Sequence, residues 1–459
     1  MPEPFTALVM AAGRGTRMRS SLPKVLHPVC GRPMVEWVIE AARDAGAGDI
    51  VCVTRPGDGV AEGLPAGATV VEQSEGEGTG AAVLAGRKAV GEPGTVVVLS
   101  GDHPLIAGEL IAELLETHRR EQAAATLLTT EQLAPTGYGR IARTADGTFD
   151  RIVETKHPED VPAEVLAIRE INIGAYAFEA ADLFKALERV GEQRDERFLT
   201  GVFPLLAAAG RPVVTHRTDD VRSAFGVNSR ADLMQAERLG QRQILDQHAL
   251  AGVSFLAPDS TRVETGVRIG PDTTIGPGVT LRGATRIGAG CEIGPHATIT
   301  DSTLGDGVTA VHSFVVEASV EDGATLGPFA YLRPGASIGP GAKVGTFVEV
   351  KNSRIGAGAK IPHLSYIGDA DVGEGSNIGA GNITANYDGI RKHRTTIGDG
   401  VRTSVDTSFV APVSVCDGAY TGAGSVITDD VPEGALGIAR SRQRNVEGYA
   451  RRRKAEPPG

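Results

Sequence analysis

The sequence feature that most constrains this chain is a six-residue beat of aliphatic side chains between about Val263 and Ile427. Glycine usually follows the aliphatic residue, as in the segments IGPDTT, IGPGVT, IGAGCE and LGPFAY. A short fixed period with glycine at the corner predicts a parallel β-solenoid, because each repeat forms one short strand and the glycine takes the positive φ of the corner. One coil cannot bury its own inward face, so the coils must stack with their strands about 4.8 Å apart. A disordered glycine-rich tract is excluded, since such tracts lack phased aliphatic residues.

Length and charge narrow the classes of protein. The chain has 459 residues, too many for one hydrophobic core, so two or three folding units are expected. Its net charge of −11 argues against a nucleic-acid or acidic-membrane partner. The four cysteines are far apart and form no CxxC pair, which gives no sign of a zinc site or a disulfide framework. The N-terminal segment does not resemble a signal peptide, and no run of about 18 apolar residues occurs, so we expect a soluble cytoplasmic protein.

The first half of the chain has a different pattern. Residues 5–227 alternate apolar strands with helical segments, which predicts an α/β unit with a largely parallel sheet. A long amphipathic segment follows and predicts one helix. We therefore predict a nucleotide-binding domain over 1–228, a helical linker over 229–250, and the β-solenoid with a C-terminal tail over 251–459. In parallel sheets ligands bind beyond the carboxyl ends of the strands, so the residues that follow each strand are the site candidates.

A glycine-rich turn, AAGRGTRM at positions 11–18, follows the first predicted strand. Gly13 and Gly15 leave backbone N–H groups open to phosphate oxygens, and Arg17 with the nearby Lys24 adds fixed positive charge. The turn is neither a Walker A loop nor a dinucleotide fingerprint, because no GK[ST] follows and Met18 occupies the third glycine position. It predicts a phosphate-binding loop. The alternative for Arg17 and Lys24 is the solvated charge of a helix start.

A metal site is predicted from two further strand ends. Asp102 follows the strand Thr95–Leu99, and a carboxylate beside a phosphate loop suits Mg²⁺ with mostly water and phosphate ligands. Asn228 follows another short apolar run, and its amide oxygen could be a second ligand. The alternatives are a turn aspartate at 102 and a helix N-cap at 228.

These motifs resemble one known family. The segments MAAGRGTRM, LPKVLH, EGTG, SGD, PTGYGRI, IVETK, EIN and GVNSR occur in the order found in the bifunctional N-acetylglucosamine-1-phosphate uridyltransferase / glucosamine-1-phosphate N-acetyltransferase family. The hexapeptide half matches the same family, so the resemblance covers nearly the whole chain. It implies a left-handed β-helix, a homotrimer, and attack of a sugar-1-phosphate oxygen on the α-phosphate of UTP with loss of pyrophosphate. Such chemistry depends on positioning and charge neutralisation rather than on a nucleophilic side chain.

The resemblance also assigns roles in the first half. Arg17 and Lys24 would be the catalytic cations, and Asp102 with Asn228 would hold Mg²⁺. The residues in contact with the nucleotide or its metal would be Ala11, Ala12, Gly13, Arg17, Lys24, Gln73, Gly78, Thr79, Gly101, Asp102 and Asn228, and those in contact with the sugar would be Gly139, Glu154 and Asn172. Taken singly, Gln73, Glu154 and Asn172 would be ordinary strand-edge polar residues.

The sequence departs from the family's pattern at four places. Glu77 stands where Leu is usual, Ala81 where His is usual, and Ile173 where Thr or Ser is usual. The segment 194–201 lacks the paired tyrosines of the family and the Asp that follows them. A carboxylate at position 77 would repel a triphosphate unless it points away. We expect the reaction class to be unchanged and the affinity and preference for UTP to be affected.

Interruptions of the six-residue beat predict a second site, because interruptions of a repeat usually carry its binding function. The longest, Ala385–Thr396, predicts a loop that leaves the solenoid. Arg333, Lys351 and Lys392 could clamp a phosphate, the alternative being ordinary surface charge. A histidine side chain titrates near neutrality, so His363 could take a proton from an amine; the alternative is a structural hydrogen-bonding role.

The resemblance makes His363 the general base for attack of glucosamine-1-phosphate on acetyl-CoA, with Asn386 available to polarise the thioester carbonyl. The amino sugar phosphate would be bound by Arg333, Lys351, Tyr366, Asn377 and Lys392, and acetyl-CoA by Ala380, Asn386, Tyr387, Val405, Ala423 and Arg440. Val405 stands where the family has serine. If that serine is an oxyanion donor, its loss costs roughly 10²–10³ in rate.

Three functions compete. The first is a bifunctional enzyme that makes UDP-N-acetylglucosamine by acetylation and then uridylyl transfer, and so feeds peptidoglycan and lipopolysaccharide precursors. The second is a single-activity sugar-1-phosphate nucleotidyltransferase with a non-catalytic trimerising β-helix, which Val405 favours and His363 disfavours. The third, a metal hydratase, would need three convergent histidines, and His296, His312, His363 and His393 are irregularly spaced in the beat. We predict the bifunctional enzyme.

Overall fold

The computed structural model of this chain describes residues 4–135, 137–155, 159, 161–192 and 195–455. Thr136, Lys156, Arg194 and the last four residues of the C-terminal tail lie outside the described residues. The chain divides into two compact units, Met1–Gln243 and Ile244–Gly459. The division falls inside the predicted linker helix, and the bounds 1–228, 229–250 and 251–459 stay a prediction.

The first unit contains the α/β elements. Its strands are β1 (Phe5–Met10), β2 (Pro28–Val29), β3 (Arg32–Pro33), β4 (Ala47–Thr54), β5 (Thr69–Glu72), β6 (Thr95–Ser100), β7 (Ala125–Thr130), β8 (Arg140–Arg143), β9 (Phe149–Val153), β10 (Ile171–Glu179) and β11 (Val213–Arg217). Its helices are α1 (Met34–Asp44), α2 (Thr79–Ala85), α3 (Arg87–Val90), α4 (Gly108–Arg120), α5 (Ala163–Leu166), α6 (Ala180–Leu187) and α7 (Val202–Ala208), and α8 (Arg230–Leu250) follows them. Short 3₁₀ turns lie at Thr16–Met18, Lys24–Leu26, Ala61–Gly63 and Leu199–Gly201.

A mostly parallel sheet forms the centre of this unit, with the strand order β11-β7-β10-β6-β1-β4-β5. β1 pairs in parallel with β4 and β6, and β10 runs antiparallel between β6 and β7. Helices cover both faces of a sheet of this kind, so its strands are continuous apolar runs, and Val96–Leu99 of β6 is fully buried. Met10 at the end of β1 pairs with Ser100 at the end of β6. The two carboxyl ends therefore lie side by side, which brings the glycine-rich turn next to Asp102.

Helix α1 shows why the sequence forms the outer layer. Its buried residues include Val35, Val38, Ile39 and Ala42, at the three- and four-residue spacing of one helical face. That face packs against β1 and α4. Burial of each valine or isoleucine side chain contributes about 1.5–3 kcal/mol, so the stripe holds the helix on the sheet.

The second unit is a parallel β-helix with three faces. Successive coils pair in parallel register, so that Ile275 lies against Ile293 and Ile269 against Ile287. These aliphatic side chains are buried inside the coils, as the six-residue beat predicts. The arrangement is consistent with the left-handed β-helix of hexapeptide proteins. The predicted fold class, an α/β unit and a β-helix with a long helix between them, is confirmed.

The strands of the β-helix are short. Face one contains Ser254–Phe255, Thr274–Ile275, Glu292–Ile293, Thr309–Ala310, Thr325–Leu326, Lys343–Thr346 and Lys360–His363. Face two contains Arg262–Val263, Thr280–Arg282, Thr298–Thr300, Phe314–Val316, Tyr331–Leu332, Glu349–Lys351, Tyr366–Gly368, Ile383–Ala385, Ser408–Val410 and Val426–Ile427. Face three contains Arg268–Ile269, Arg286–Ile287, Thr303–Leu304, Ser319–Val320, Ser337–Ile338, Arg354–Ile355, Ala370–Val372, Thr395–Ile397 and Val413–Val415. A further pair joins Tyr420–Thr421 to Leu436–Gly437, a 3₁₀ turn lies at Pro258–Ser260, and α9 spans Tyr449–Ala455.

One corner of the β-helix carries a column of ring side chains. His296, His312, Phe329 and Phe347 have positive φ in successive coils, and each ring centroid lies 5.3 Å from the next. Leu364 has positive φ at the same corner of the next coil. We call these five residues, four with aromatic rings and one leucine, the aromatic column. The interpretation that the histidines are irregularly spaced is wrong for His296 and His312, whose rings lie against each other in successive coils. Among the described residues, however, no group of three or more His, Cys, Asp or Glu could hold a metal ion.

The longest interruption of the beat forms an exposed loop. The strand Ile383–Ala385 of face two ends where the loop begins, and the strand Thr395–Ile397 of face three follows the loop. The prediction of a loop that leaves the coil is therefore confirmed. No helix in the described part of the chain combines the length and the apolarity that crossing a membrane requires.

Candidate active sites

Glycine shapes the turn after β1 in two ways. Gly15 has a φ of 57°, and a Cβ on it would lie 2.6 Å from the Cβ of Lys24. Only glycine therefore allows the Lys24 segment to close on the turn. At Gly13 an added Cβ would meet no atom within 4 Å. The space above this backbone is open, as a phosphate-binding loop requires.

Lys24 is the centre of the first candidate site. Its ammonium group donates a hydrogen bond to the carboxylate of Asp102 and lies 3.4 Å from the amide oxygen of Asn228. Arg17 donates to the same amide oxygen at 2.8 Å. The side chains of Lys24 and Asp102 are only 11% and 19% exposed. The structure thus brings together the predicted phosphate-binding cations and the predicted metal ligands, and the solvated helix-start alternative for Lys24 is wrong.

The carboxylate of Asp102 is held in its charged form. Burial by itself would raise its pKa, but the Lys24 ammonium and His103 outweigh that effect and keep the pKa well below its ordinary value. Nδ1 of His103 lies 3.0 Å from one carboxylate oxygen. The main-chain oxygen of Asp102 accepts a hydrogen bond from Val227 N at 2.9 Å, which ties this strand end to the segment before Asn228.

Asn228 is not the N-cap of α8. Ser229 and Asp232 cap the helix instead, because the Ser229 hydroxyl and the backbone N–H groups of residues 228 and 229 donate to the Asp232 carboxylate at 2.8–3.0 Å. This leaves the Asn228 side chain to face Arg17 and Lys24. The structure therefore favours the site over the capping alternative.

The donor set fits a hard divalent cation. The Asp102 carboxylate and the Asn228 amide oxygen face the same ammonium group, so they already surround a positive charge. Oxygen ligands are the ones that Mg²⁺ prefers, and two protein oxygens leave the remaining positions for phosphate and water.

The loop before α2 is tied to the segment after α6. Gln73 is buried, and its side-chain amide donates to Gly76 O at 3.0 Å. Gly78 has a φ of 95°, and a Cβ there would lie 2.5 Å from Arg197 O. The Thr79 hydroxyl accepts a hydrogen bond from Leu199 N at 3.0 Å. Segment 194–201 departs from the family's pattern. Its described part thus supports the loop that contains the predicted nucleotide contacts Gly78 and Thr79.

Glu77 does not face the site as an unbalanced charge. Arg14 and Arg55 bind its carboxylate at 2.6 Å and 3.1 Å, and the hydrogen bonds from Arg55 and then Arg14 lower its pKa. Arg55 also donates to Ala12 O at 3.3 Å. The two arginines therefore neutralise the acidic departure and connect it to the glycine-rich turn. The neighbouring departure, Ala81, lies in α2 and is buried.

The three predicted sugar contacts also converge. Asn172 N donates to Gly139 O at 2.9 Å, and a Cβ on Gly139 would lie 3.7 Å from a carboxylate oxygen of Glu154. Thr200 donates to the other oxygen of Glu154 at 2.9 Å. Ile173 is 2% exposed and belongs to the core on the opposite face of β10, so this departure does not alter the face that carries Asn172.

The second candidate site is a ladder on the β-helix. Backbone hydrogen bonds of 2.8–3.3 Å run from Gly381 N to His363 O, from Asp406 N to Ala380 O and from Gly424 N to Val405 O. They place the residues at one edge in successive coils, namely His363, Ala380, Val405 and Ala423. We call these four residues the ladder. His363 is exposed, and Val405 is 46% exposed.

The predicted phosphate clamp lies on the neighbouring face. Arg333 pairs with Glu349 at 2.8 Å, and Lys351 lies 3.5 Å from a carboxylate oxygen of Asp369. Lys392 contacts Lys351, and this contact and the like charge of Lys351 lower the pKa of Lys392. Positive charge is therefore concentrated here beyond what the local carboxylates neutralise, so ordinary surface charge is the weaker interpretation.

Tyr366 lies on the same face as Lys351, whereas Asn377 lies on a different face. The phenol of Tyr366 lies over Gly368, where an added Cβ would be 2.3 Å from the hydroxyl oxygen. Asn377 pairs with Lys360 of the coil before and Arg402 of the coil after, so it lies on face one, as the ladder does.

The acetyl-CoA candidates are less closely grouped. The Asn386 side chain is 8% exposed and donates to Asp369. Tyr387 points into its own loop, where its hydroxyl donates to Gly389 O at 2.7 Å. Hydrogen bonds from Arg391 N, His393 and Ile390 N hold the pKa of Asp388 at about 2 and give this loop its shape. Arg440 is exposed after Leu436–Gly437, and its assignment depends on the family resemblance alone.

Comparison with known proteins identifies the family. The family model described as MobA-like NTP transferase domain matches residues 7–201, and the bacterial transferase hexapeptide model, with six repeats, matches residues 266–301. Bifunctional protein GlmU of Mycobacterium bovis is 45% identical over 469 residues, which cover 100% of this chain and 94% of that protein. The Brevibacillus brevis protein of the same name is 46% identical over 448 residues, 97% of this chain and 96% of its own length. The chain belongs to the bifunctional GlmU family.

This is the family that the motifs resemble, so the resemblance is confirmed. The chain is a bifunctional enzyme of UDP-N-acetylglucosamine synthesis, with a uridyltransferase and an acetyltransferase activity, as predicted. The GlmU relative from Streptomyces avermitilis gives the same result, at 45% identity over 98% of this chain and 95% of that protein.

Three residues near the sites of this GlmU-family chain were not predicted. His103 supports Asp102, Arg55 binds Glu77, and Asp369 contacts both Lys351 and Asn386. His103 had one sequence signal, its position directly after Asp102. Arg55 follows β4 and could have been found as a residue beyond a strand end. Asp369 had no signal, because it lies at an ordinary corner of the repeat.

Proposed function

We propose that the α/β unit transfers the uridylyl group of UTP to N-acetylglucosamine-1-phosphate and releases pyrophosphate, through the site around Lys24. The observation that carries this assignment is the convergence of Arg17, Lys24, Asp102 and Asn228 beside an open glycine turn. The sugar phosphate oxygen attacks the α-phosphate, and Arg17 and Lys24 balance the charge that develops on the transferred and leaving phosphates. Gly139, Glu154 and Asn172 orient the sugar.

Mg²⁺ is the proposed cofactor of this reaction. Asp102 and Asn228 would hold it, with phosphate and water as the other ligands. When bound, the ion neutralises phosphate charge and orients the triphosphate. Lys24 now occupies the position between the two protein oxygens, so its ammonium must turn toward the nucleotide phosphates when they bind.

We assign acetyl transfer from acetyl-CoA to glucosamine-1-phosphate to the ladder and the clamp beside it. His363 takes the proton of the amine as the nitrogen attacks the thioester, and its exposure on the ladder leaves it accessible for this role. Arg333, Lys351 and Lys392 bind the phosphate, with Tyr366 on their face and Asn377 contributing from face one. Acetyl-CoA lies along the ladder past Ala380 and Val405. One N–H of Asn386 is bound to Asp369, and its second N–H is the one that could polarise the carbonyl.

We propose a homotrimer, for which the aromatic column gives the support in this chain. Phe329, Phe347 and Leu364 are 52%, 58% and 60% exposed in one continuous strip of the β-helix. An apolar strip of this kind marks an interaction surface, and a second copy of the same β-helix would cover it. Its partners are otherwise small molecules, and we place the enzyme in the cytoplasm, where UTP and acetyl-CoA are available.

The decisive experiment offers the purified chain glucosamine-1-phosphate, acetyl-CoA, UTP and Mg²⁺, and follows free thiol and pyrophosphate separately. Thiol should appear first and pyrophosphate after it. With N-acetylglucosamine-1-phosphate supplied directly, pyrophosphate should form without thiol. Failure to release thiol from glucosamine-1-phosphate, with normal pyrophosphate formation, would show that the β-helix is not catalytic.

A further inference from the structure

Asp369 is a buried carboxylate at a corner of the β-helix, between the strands Tyr366–Gly368 and Ala370–Val372. It is 6% exposed, has a φ of 49°, and its backbone N–H donates to Lys351 O at 3.0 Å. The position of its side chain is therefore set by the coil and not by a mobile loop.

The carboxylate of Asp369 has three donors. Asn352 donates to one oxygen at 2.6 Å, and Asn386 donates to the other. The ammonium group of Lys351 lies 3.5 Å from that second oxygen. Burial would raise the pKa of Asp369, but the donors Asn352, Asn386 and Lys351 outweigh it and keep the pKa below its ordinary value.

This geometry selects one orientation of the Asn386 amide. An ionised carboxylate only accepts hydrogen bonds, so it must face the NH₂ group of Asn386 and never its oxygen. The oxygen of Asn386 and one N–H then remain on the other side of the amide. Without the carboxylate, the two ends of the amide would be nearly equivalent in shape.

We propose that Asp369 is a positioning residue for acetyl transfer, which orients the Asn386 amide. The proposal depends on the acetyl-transfer role assigned above to His363 and Asn386. Asp369 also opposes phosphate binding, because its negative charge lies beside Lys351. Removal of the carboxylate should therefore lower kcat, because the Asn386 amide loses its orientation, without raising KM, because a negative charge leaves the phosphate clamp. A purely structural role would not produce this combination.

The test is Asp369→Asn in the full chain. The new amide offers one acceptor to three donors, so the orientation of Asn386 is lost. We expect kcat for thiol release to fall about 10- to 100-fold, the range of a small misplacement of a reacting group. The KM for glucosamine-1-phosphate should stay unchanged or fall, since a negative charge leaves the phosphate clamp. Pyrophosphate formation from N-acetylglucosamine-1-phosphate should stay within about twofold of the parent.

Asn352→Ala is the matched control, because it removes one hydrogen bond to the carboxylate but leaves the contacts of that carboxylate with Asn386 and Lys351 in place. Its kcat for thiol release should change less than about threefold. Asp369→Ser, which keeps a small acceptor at this buried corner, is the second variant if Asp369→Asn does not fold. Melting of the β-helix, followed by circular dichroism, reports folding for each.

Two results would overturn the inference: an unchanged kcat in Asp369→Asn, or an equal loss in Asn352→Ala, which would mean that the carboxylate only stabilises the coil. His363→Ala separates this failure from failure of the proposed function. If His363→Ala releases thiol at the parent rate, the assigned site itself is wrong. If it is inactive while Asp369→Asn is fully active, only the role of Asp369 is wrong.

Discussion

The two candidate sites are assembled in opposite ways. In the α/β unit, Arg17 meets Asn228 although 211 positions separate them, and Lys24 meets Asp102 across 78 positions. In the β-helix, the ladder members follow one another by one coil each, and ordinary backbone pairing brings them together. The first site is an outcome of tertiary folding, whereas the second is an outcome of register.

This difference has a consequence for substitutions. The first site depends on supports that are not themselves ligands, such as the room for Lys24 that Gly15 leaves and the Ser229–Asp232 cap that frees Asn228. A change at a ladder position leaves the backbone pairing of its neighbours intact, because main-chain bonds and the buried aliphatic side chains, not the ladder side chains, set that register. We therefore expect effects at the β-helix site to remain local, and effects at the α/β site to pass from one loop to another.

The largest effect should come from His363→Ala. Loss of a general base lowers the rate of proton removal by roughly 10²–10⁴, so thiol release should fall by that factor. Pyrophosphate formation from N-acetylglucosamine-1-phosphate should be unchanged, because no residue of the ladder belongs to the α/β unit. Both rates are measured on the same preparation, so each serves as the control of the other. Parallel loss of both activities would mean that the two sites do not work independently.

The reverse experiment is Asp102→Asn. It removes the charge of a proposed metal ligand and the partner of the Lys24 ammonium, so pyrophosphate formation should fall by about 10²-fold while thiol release stays normal. The Mg²⁺ concentration for half-maximal rate should rise as well. Asp150→Asn, at a half-buried position of β9 where the carboxylate pairs with Arg151, is the control for loss of one carboxylate from the same unit. Normal Mg²⁺ dependence in Asp102→Asn would remove this residue from the metal site.

The sequence pattern predicted the β-helix better than it predicted its site. The six-residue beat specifies which side chains point inward, and Ile275, Leu281 and Ile287 are all buried as it predicts. The same beat cannot show that Asp369 contacts Asn386, because a corner aspartate is a common feature of such coils. In the α/β unit the alternation of strands and helices predicted the sheet. The rule that ligands bind beyond the carboxyl ends of parallel strands indicated Arg17, Lys24 and Asp102.

The details of the α/β site could not be predicted in the same way. The capping alternative for Asn228 was physically sound, and only the Ser229–Asp232 bonds decide against it. The charge of Glu77 looked unfavourable because its partners, Arg14 and Arg55, are far from it in sequence. Long-range ion pairs leave no local pattern, whereas the register of a repeat does.

Val405→Ser tests whether the ladder can gain function at one position. A hydroxyl at 405 would add a donor beside the thioester path, but Val405 is 46% exposed, and water weakens such a donor. We expect thiol release to rise by about tenfold, less than the largest single-donor effects. Val405→Thr keeps the shape of valine with a hydroxyl, and Val405→Ala removes bulk without one. If the alanine variant gains as much as the serine variant, access and not hydrogen bonding limits the reaction.

The smallest effect should come from Glu77→Gln in the α/β unit. Arg14 and Arg55 already neutralise the carboxylate, so the neutral variant should change the KM for UTP by less than about threefold. A carboxylate that repelled the triphosphate would give the opposite result, a much lower KM in the variant with a strong dependence on salt.

The stability of the same variant has a defined pH dependence. The folded pKa of Glu77 lies below its ordinary value, so the ion pairs stabilise the α/β unit above that ordinary pKa, and this contribution is lost as the pH falls through the folded pKa. Because Glu77 is 41% exposed, the contribution should be at most about 1 kcal/mol. Thermal unfolding at neutral pH should therefore show a small loss of stability in Glu77→Gln, and the difference from the parent should vanish in acid. A difference that persists at low pH would mean that the side chain acts by packing, and that the two arginines hold the loop without its charge.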